Sequence, residues 1–254
     1  MMVQTHDLTV VLNGKTILDR INAAFPAGQT TLILGRNGSG KSTLLKALAG
    51  LLDPAAGKVR LGNRDLTEYS RKELACRCAV LLQDPAAPPD MEVAALVMLG
   101  RFPHDSSRES NRNAVRRALA DMGIEYLAGR KLGTLSGGER RKAFFARALA
   151  QETALLILDE PDAALDAAAK NELLRTLREL KSRRDLTVIM AAHDWDFALN
   201  MADAVCGLKN GTLCCAGTPD KIIQPEILQE VFGISGIILR DKYGKLRILP
   251  EYRQ

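Results

Sequence analysis

The stretch that decides the fold is Gly35-Arg36-Asn37-Gly38-Ser39-Gly40-Lys41-Ser42. It fits the pattern G-x-x-x-x-G-K-[ST], in which a glycine-rich loop between a strand and a helix binds phosphate groups. The flanks agree, because the apolar run 30–34 predicts a buried strand and residues 43–49 predict a helix with leucines on one face. The alternative is a glycine-rich turn between the strand and the helix that binds nothing, and the flanks favour the phosphate-binding interpretation over it.

Each residue type in this loop has a chemical role. Glycines allow backbone N–H groups to surround phosphate oxygens, and the following helix N-terminus adds its positive end. The Lys41 ammonium is expected to reach the outer phosphates, and the Ser42 hydroxyl to ligate Mg²⁺. The predicted phosphate-binding residues are Gly35, Asn37, Gly38, Ser39, Gly40, Lys41, Ser42 and Thr43.

The bulk composition narrows the class of protein. With 254 residues, 46% of them hydrophobic and 26% charged, the chain has the make-up of a soluble protein with one large α/β domain or two small ones. No run approaches the roughly 18 apolar residues of a membrane span. Residues 1–15 lack the apolar core of a signal peptide, so we expect a cytosolic location.

Charge and cysteine content bear on partners. The net charge of +5 is compatible with a nucleotide or an anionic membrane surface. Because basic residues are scattered and aromatic residues make up only 4%, we expect no nucleic-acid partner. The five cysteines show no C-x-x-C spacing, which disfavours a zinc site or a disulfide framework. Cys206, Cys214 and Cys215 lie in apolar, strand-like sequence and are predicted to be small core residues.

The remaining pattern predicts a strand-and-helix core with a helical insert. Strands at 8–12 and 16–18 flank an Asn13-Gly14 turn. Further strands are predicted at 58–61, 78–82, 154–158, 186–191, 204–208 and 212–216, with a hairpin at 237–249. Helices are predicted at 91–100, 111–122, 136–151 and 166–183, and from Thr218-Pro219 onward. This division gives a first core part at 1–85, a helical subdomain at 86–150, a second core part at 151–235 and a C-terminal hairpin at 236–254.

Two further motifs add catalytic chemistry. Asp159-Glu160 ends a continuous apolar strand, where α/β sheets place their ligands. Asp159 is predicted to hold Mg²⁺, and Glu160 to orient and deprotonate the attacking water. In Leu135-Ser136-Gly137-Gly138-Glu139, the serine can cap a helix while the glycines let backbone amides approach an anion. The Ser-x-x-Glu spacing also fits an ordinary capping box, and both interpretations can hold together.

Together these motifs resemble those of the ATPase subunits of ABC transporters, over about residues 3–235. Residues 35–42 resemble the Walker A motif, 155–160 Walker B, and 135–139 the LSGGQ signature. The resemblance implies an α/β fold, a P-loop NTPase core of the ABC ATPase type with an N-terminal antiparallel β subdomain and a helical insert.

The resemblance also assigns roles to single residues. Gln83 matches the Q-loop glutamine, Ala164-Leu165-Asp166 the end of the D-loop, and His193 the switch histidine. The implied catalytic residues are Glu160, His193, Lys41 and Gln83, and the implied metal ligands are Ser42, Gln83 and Asp159. Taken singly, His193 also fits an ordinary surface or core histidine, and Gln83 a turn residue. Their place in the order of motifs favours the functional interpretation.

Partners follow from the same resemblance. Family members pair two chains head to tail around two ATP molecules, with Mg²⁺ at each site. The residues that would contact the nucleotide held by the other chain are Ser136, Gly137, Gly138, Glu139 and Asp166. Further implied partners are integral membrane permease subunits and, indirectly, a solute-binding protein. The implied location is cytoplasmic and peripheral, on the cytoplasmic face of the inner or plasma membrane.

Three positions depart from the family pattern. Leu12 stands where an aromatic residue usually stacks on adenine, which would forgo ~0.5–1.5 kcal/mol. We therefore expect weak selectivity for adenine over guanine. Glu139 replaces the signature glutamine but leaves the phosphate-facing residues intact. Ala163 stands where serine is common, which removes the hydroxyl of a cross-dimer hydrogen bond.

Short strings point to a subfamily. Gly100-Arg101-Phe102-Pro103-His104, Val231-Phe232-Gly233-Ile234 and His193-Asp194 resemble segments of the ATPases that serve iron-siderophore, haem and cobalamin importers. The alternative is that these short matches arise by chance within a fold that many ABC ATPases share. In addition, residues 167–170 do not match the sequence that usually follows the D-loop in this subfamily. Residues 91–99 are expected to help form the groove for a cytoplasmic helix of the permease, or else to pack in the core of the insert.

Two other classes of function are alternatives to transport. A soluble mechanical ATPase, as in DNA repair or on the ribosome, usually needs a long coiled-coil insertion or two cassettes in one chain, and this sequence has neither. The second alternative is a regulatory or degenerate module that binds a nucleotide without hydrolysing it. Such a module would not need catalytic residues. The presence of Lys41, Asp159, Glu160 and His193 argues against it.

Overall fold

The computed structural model describes residues 2–83, 85–163, 165–192, 194–233, 235–241, 244 and 246–250, except for the side chains of Asp196 and Pro250. The predictions that involve His193, Ala164, Ile234 and Tyr243 therefore lie outside the described residues.

Strands and helices follow the predicted order along the chain. The strands are β1 (Val3–Leu12), β2 (Lys15–Phe25), β3 (Thr30–Gly35), β4 (Ala56–Leu61), β5 (Arg64–Asp65), β6 (Cys78–Leu81), β7 (Leu155–Asp159), β8 (Thr187–Ala191), β9 (Ala204–Lys209), β10 (Thr212–Gly217), β11 (Gly236–Arg240) and β12 (Leu246–Pro250). The helices are α1 (Lys41–Leu48), α2 (Arg71–Ala75), α3 (Val93–Met98), α4 (Arg108–Asp121), α5 (Gly137–Ala150), α6 (Ala167–Arg183), α7 (Trp195–Leu199), α8 (Pro219–Ile222) and α9 (Pro225–Ile227).

An antiparallel sheet in the order β2-β1-β4-β5 forms the N-terminal layer. Asn13 and Gly14 connect β1 to β2 with φ angles of 50° and 76°, so the predicted hairpin is confirmed. The prediction for β2 was too short, because the strand continues to Phe25. Arg20 has a φ of 46°, and the register shifts between the Leu8–Ile21 and Val10–Leu18 pairs. This bulge breaks the two-residue alternation from which strands are predicted.

The central sheet has the order β10-β9-β3-β8-β7-β6, and only β10 runs antiparallel to its neighbour. Alternate residues of its strands enter two different cores. Leu156 and Leu158 pack with the helices of one face, whereas Leu155 and Ile157 pack with α1 and the antiparallel sheet. Because both faces are covered, the strands are continuously apolar, as predicted. The parallel direction brings the carboxyl ends of β3, β6, β7 and β8 to one edge.

A helical segment connects β6 to β7. The described residues there form helices and turns, apart from an isolated bridge between Glu92 and Lys131. α4 and α5 match the predicted helices, with Ser136 as the N-cap of α5. α3 is shorter than predicted, because the amides of Val93 and Ala94 donate to the carbonyls of Arg130 and Ala128 and fix its start. The four-part division of the chain stays a prediction.

The single tryptophan of the chain begins α7. Its ring packs edge to face against Phe232, with ring centroids 5.0 Å apart and planes at 88°. Phe232 ends a π-helical turn, Leu228–Phe232, that contacts β9 and β3. The aromatic pair therefore connects the segment after β8 to the turn that packs against β9 and β3.

The two predicted C-terminal hairpins are present, as β9–β10 and β11–β12. The prediction that all three nearby cysteines are core residues is wrong. Cys206 on β9 is buried, but Cys215 is only half-buried and Cys214 is exposed. The reason is that β10 is the edge strand of the central sheet, so one side of it faces solvent.

Candidate nucleotide-binding site

The glycine-rich loop leaves β3 and curls tightly before α1. Gly40, the N-cap of α1, has a φ of 103°, and a Cβ there would lie 2.7 Å from the Leu18 side chain. A Cβ on Gly35 would lie 2.6 Å from the Leu208 carbonyl oxygen. The loop is also tied down, because the Gly211 amide donates to the Ser39 carbonyl at 3.1 Å. The positive φ at Gly40 and the close backbone approach at Gly35 therefore favour glycine at both positions.

The Ser39 hydroxyl is buried within this loop and has no hydrogen-bond partner. Buried hydroxyl groups are normally paired, so such a group marks a place where a partner fits. Phosphate oxygens, which accept hydrogen bonds, would satisfy it. The loop thus fits a phosphate on its geometry as well as on its sequence.

Lys41 points its ammonium back into the loop. Its Nζ donates to the carbonyl oxygens of Gly35 at 2.9 Å and Arg36 at 3.2 Å. Burial lowers the pKa of Lys41, and attraction to Glu160 and Asp159 partly opposes the shift. A buried cation held by two neutral carbonyls has charge left to attract phosphate.

Ser42 and Asp159 form the candidate Mg²⁺ site. The Ser42 hydroxyl donates to Oδ1 of Asp159 at 3.1 Å, although the two residues are far apart in sequence. Hydroxyl and carboxylate oxygens are the ligands that Mg²⁺ takes from proteins, which usually supply few of them. In keeping with that, the described part of the chain has no cluster of three or more metal-ligating side chains. The two residues fit the ion, and phosphate and water would complete the set.

Burial raises the pKa of Asp159, and the Ser42 hydrogen bond with the nearby cations Lys46, Lys41 and Arg141 opposes the shift. The native state therefore holds this proton more tightly than the unfolded chain. The group's contribution to stability is greatest below its unfolded pKa and is lost as pH rises through the raised native pKa.

We expect Asp159→Asn to raise the urea midpoint of the nucleotide-free protein at about pH 7 and to change it less at about pH 4. The same substitution removes a predicted metal ligand and should abolish Mg²⁺-dependent hydrolysis. Urea unfolding at both pH values, followed by circular dichroism, checks the first effect. A lower midpoint at neutral pH would show that Asp159 stabilises the fold instead.

Glu160 follows directly and is 7% exposed. Its φ is 50°, a left-handed conformation that costs energy for a residue with a side chain. The Glu160 amide donates to the Ala191 carbonyl at 2.8 Å, which extends the β7–β8 pairing by one residue. A strained, buried carboxylate at the carboxyl edge of a parallel sheet is typical of a catalytic position.

Sequence analysis missed Arg141, on the buried face of α5. Its guanidinium donates to the carbonyls of Leu82 (2.9 Å) and Gln83 (2.6 Å), and to those of Asp159 (2.9 Å) and Glu160 (2.5 Å). Arg141 is 7% exposed. One side chain therefore joins the helical insert to the strand ends that carry three predicted site residues. The sequence held one sign of this role. Arg141 is a charged residue on the same face of the predicted helix as Phe144 and Phe145, which follow it by one helical turn.

The signature segment is a capping box at the start of α5. The Glu139 amide donates to the Ser136 hydroxyl at 3.3 Å, and the Ser136 amide donates to the Glu139 carboxylate at 2.8 Å. Hydrogen bonding of the Glu139 carboxylate to the Ser136 amide, and then to the Ser136 side chain, lowers the pKa of Glu139. Ser136 and Gly137 are exposed, so their surface is free to meet another chain. The capping-box interpretation is confirmed, and the contact with nucleotide stays a prediction.

Three other predicted or missed residues lie on the loops beside Glu160. Asp166 is exposed and caps α6 through the Ala169 amide at 2.8 Å. Asp162, which the sequence analysis missed, is buried and accepts the Asp194 amide at 3.0 Å. Gln83 has an exposed side chain and is held through its carbonyl oxygen by Arg141. The loops that follow β6, β7 and β8 are thus joined by hydrogen bonds.

The chain is similar in sequence and in fold to known proteins. A model of the ABC transporter family matches residues 18–163. The hemin import ATP-binding protein HmuV of Bordetella pertussis (strain Tohama I) is 38% identical over 262 residues, covering 99% of this chain and 100% of the relative. The ferric enterobactin transport ATP-binding protein FepC of Escherichia coli (strain K12) is 36% identical over 240 residues, covering 93% and 89%. A chain from the solved inward-facing structure of a metal-chelate type ABC transporter superposes with a TM-score of 0.83 at 25% identity, covering 99% of this chain and 98% of the other.

Proposed function

Since the chain belongs to the ABC transporter family, we propose that it is the ATP-binding and hydrolysing subunit of an importer, which takes up a metal chelate such as an iron-siderophore, haem or cobalamin. The observation that carries the proposal is the full-length similarity to import ATP-binding proteins, beyond the motifs that all ABC ATPases share. The likeness to a metal-chelate type transporter supports the same substrate class.

In this proposal the glycine-rich loop binds the ATP phosphates through its backbone amides, Ser39 and Lys41. Mg²⁺, held by Ser42 and Asp159, would neutralise phosphate charge. Glu160 would accept the proton of the attacking water, and Gln83 and His193 would complete the site. A second copy would supply its exposed signature segment to the same nucleotide, so that two sites close together. Loss of the γ-phosphate contact on hydrolysis would let the pair open.

Leu12 should make nucleotide binding weakly selective. It is 37% exposed at the end of β1 and has no ring to stack on a base. We expect GTP to compete with ATP nearly as well as ATP itself, and Leu12→Tyr to tighten ATP binding by ~0.5–1.5 kcal/mol, or about 2- to 12-fold. Competition against a labelled ATP analogue measures the affinity of the wild type for GTP and for ATP, and the affinity of Leu12→Tyr for ATP. Val11→Tyr is the matched control. Neighbouring side chains of a strand point to opposite faces of the sheet, so a ring at position 11 would not lie where a ring at position 12 does. Strong preference of the wild type for ATP would contradict the prediction.

Attachment to a permease needs a surface, because no helix among the described residues has the length and apolar character to cross a membrane. A groove of about 340 Å³ lies between the end of α1, α2, β6 and α5, with Leu74, Val80 and Leu82 among its lining residues. Leu51, also in its lining, is 53% exposed. Such a groove suits the apolar face of an amphipathic helix.

Residues after α3 extend this apolar surface. Leu99 is 50% exposed and Phe102 is 90% exposed. The segment lies beside α2, since the Cys76 thiol donates to the Pro103 carbonyl and Lys72 pairs with Asp105 at 2.6 Å. Within 91–99, by contrast, Val93, Leu96 and Val97 are fully buried, so core packing accounts for the middle of that range. The docking surface we propose is therefore Leu51, Leu99 and Phe102.

The experiment that tests the proposed function is recovery of the tagged chain from detergent-solubilised native membranes. We expect a many-helix permease to be recovered with it, together with a solute-binding protein for a metal chelate. Phe102→Glu should lower permease recovery at least tenfold without changing the unfolding temperature. Tyr126→Glu, at a residue 73% exposed elsewhere on the insert, is the matched control. Recovery with soluble or nucleic-acid partners alone would overturn the transport assignment and leave the ATPase chemistry intact.

A further inference from the structure

Cys214 and Cys215 are adjacent residues at a break in the pairing of β10 with β9. Leu213 pairs with Leu208, whereas Cys215 pairs with Gly207, so Cys214 is the extra residue of a β-bulge. Neighbouring side chains of a regular strand lie on opposite faces of a sheet. The bulge interrupts that alternation and lets both thiols reach the same place.

That place is the backbone of Gly207 on β9. A Cβ added to Gly207 would contact the Cys215 sulfur and would lie 3.4 Å from the Cys214 sulfur. The Cys214 thiol also donates to the Gly207 carbonyl oxygen at 3.1 Å. Because glycine has no side chain, the Cys215 sulfur occupies the space that a Cβ would fill, and the Cys214 sulfur lies beside it. The pair is thus built by the bulge and the glycine together.

The thiol pair is open on one side and covered on the other. β10 is an edge strand, and Cys214 is exposed while Cys215 is half-buried. On the inner side, the tip of the Phe232 ring lies 3.1 Å from the position of the added Cβ. Burial and the neighbouring Cys214 raise the pKa of Cys215 to about 11, so the Cys215 thiol stays protonated until a ligand displaces its proton.

The donor set selects the class of ligand. Sulfur ligands favour soft cations, chiefly copper(I) and zinc. Zinc takes three or four protein ligands, and no cluster of three or more His, Cys, Asp and Glu side chains suited to a metal occurs where the structure is described. Copper(I) can be held by two thiolates alone. We propose that Cys214 and Cys215 form a two-thiolate site for copper(I).

Binding at this site needs no redox partner. Two S–H bonds break, two Cu–S bonds form, and two protons pass to solvent, while copper stays in the +1 state. The Cys214 thiol donates to Gly207 and not to the phosphate-binding loop, and the proposal is independent of the proposed transport function. ATP binding should therefore persist in variants that lose copper.

The test is an anaerobic titration of the full-length protein with copper(I) in competition with bathocuproine disulfonate, whose coloured complex reports the copper left to the chelator. We expect the wild type to withdraw one equivalent of copper. Cys214→Ser and Cys215→Ser should each weaken retention by more than the roughly 10–100-fold that loss of an outer-shell partner costs. Cys76→Ser, at an exposed cysteine elsewhere, should retain copper. Equilibrium dialysis with ATP confirms that each variant is folded.

Several results would overturn the proposal. The wild type could leave all copper to the chelator, or either serine variant of the pair could retain it. Loss of binding in Cys76→Ser would assign the copper to a surface thiol. Loss in Cys206→Ala, with ATP binding intact, would assign it to a different set of sulfurs.

Discussion

Glu160→Gln is expected to bind ATP as the wild type does and to hydrolyse it roughly 10²- to 10⁴-fold more slowly. The amide keeps the size and the hydrogen-bonding reach of the carboxylate but cannot accept the proton of the attacking water. Because Glu160 is buried and held at a φ of 50°, the exchange should leave the backbone in place. Calorimetric titration with ATP and phosphate release measured under saturating ATP separate the two effects.

The matched control is Glu109→Gln, on the exposed side of α4. It makes the same chemical change outside the site and should leave turnover unaltered. Wild-type turnover in Glu160→Gln would refute the assignment of the general base. Loss of ATP binding would instead place Glu160 among the residues that hold the nucleotide.

Arg141→Ala is expected to lower kcat by up to ~100-fold with little change in KM for ATP. The guanidinium donates to the backbone carbonyls of Gln83, Asp159 and Glu160, so its loss should disturb the predicted catalytic side chains more than phosphate binding. Its removal leaves buried carbonyls without donors, which should also cost about 3 kcal/mol of stability. Steady-state kinetics well below the unfolding midpoint, together with urea titration, measure the two consequences separately.

Two variants sharpen this test. Arg141→Lys should recover only part of the activity, because a compact ammonium cannot span four carbonyls as the planar guanidinium does. Arg140→Ala removes the neighbouring arginine, which lies 5.9 Å from the Phe144 ring centre, and should change kcat little. A lower stability with unchanged kcat in Arg141→Ala would make the residue purely structural.

The parts of the fold that were predicted have local signals. Gly35 to Ser42 is a contiguous pattern, Asn13-Gly14 is a turn within a few residues, and the apolar run ending at Asp159 needs no distant partner. The same holds for the capping box of Ser136 and Glu139, whose spacing alone sets the geometry. Four of the missed features depend on contacts across the chain. The length of β2 depends on a bulge against β1, the exposure of Cys214 on strand order, and Arg141 and Asp162 on loops that only the parallel sheet brings together.

At the site itself, the resemblance to a known family predicted more than the spacing of residues did. Asp159 and Ser42 are far apart in the chain, and their pairing at 3.1 Å follows from the parallel order of β3, β8 and β7. No periodicity in the sequence fixes that order. The family pattern assigned both residues to one Mg²⁺ site, and it gave roles to Gln83 and to His193, which lies outside the described residues.

The edge-to-face packing of Trp195 on Phe232 gives the protein an intrinsic fluorophore. Indole emission responds to the polarity around the ring, and with no second tryptophan in the chain the whole signal comes from one place. That place is two residues from position 193 and is joined, through Asp194 and Asp162, to the loop that follows Glu160. Emission spectra recorded during a single turnover would therefore follow the segment after β8 in real time, without a label.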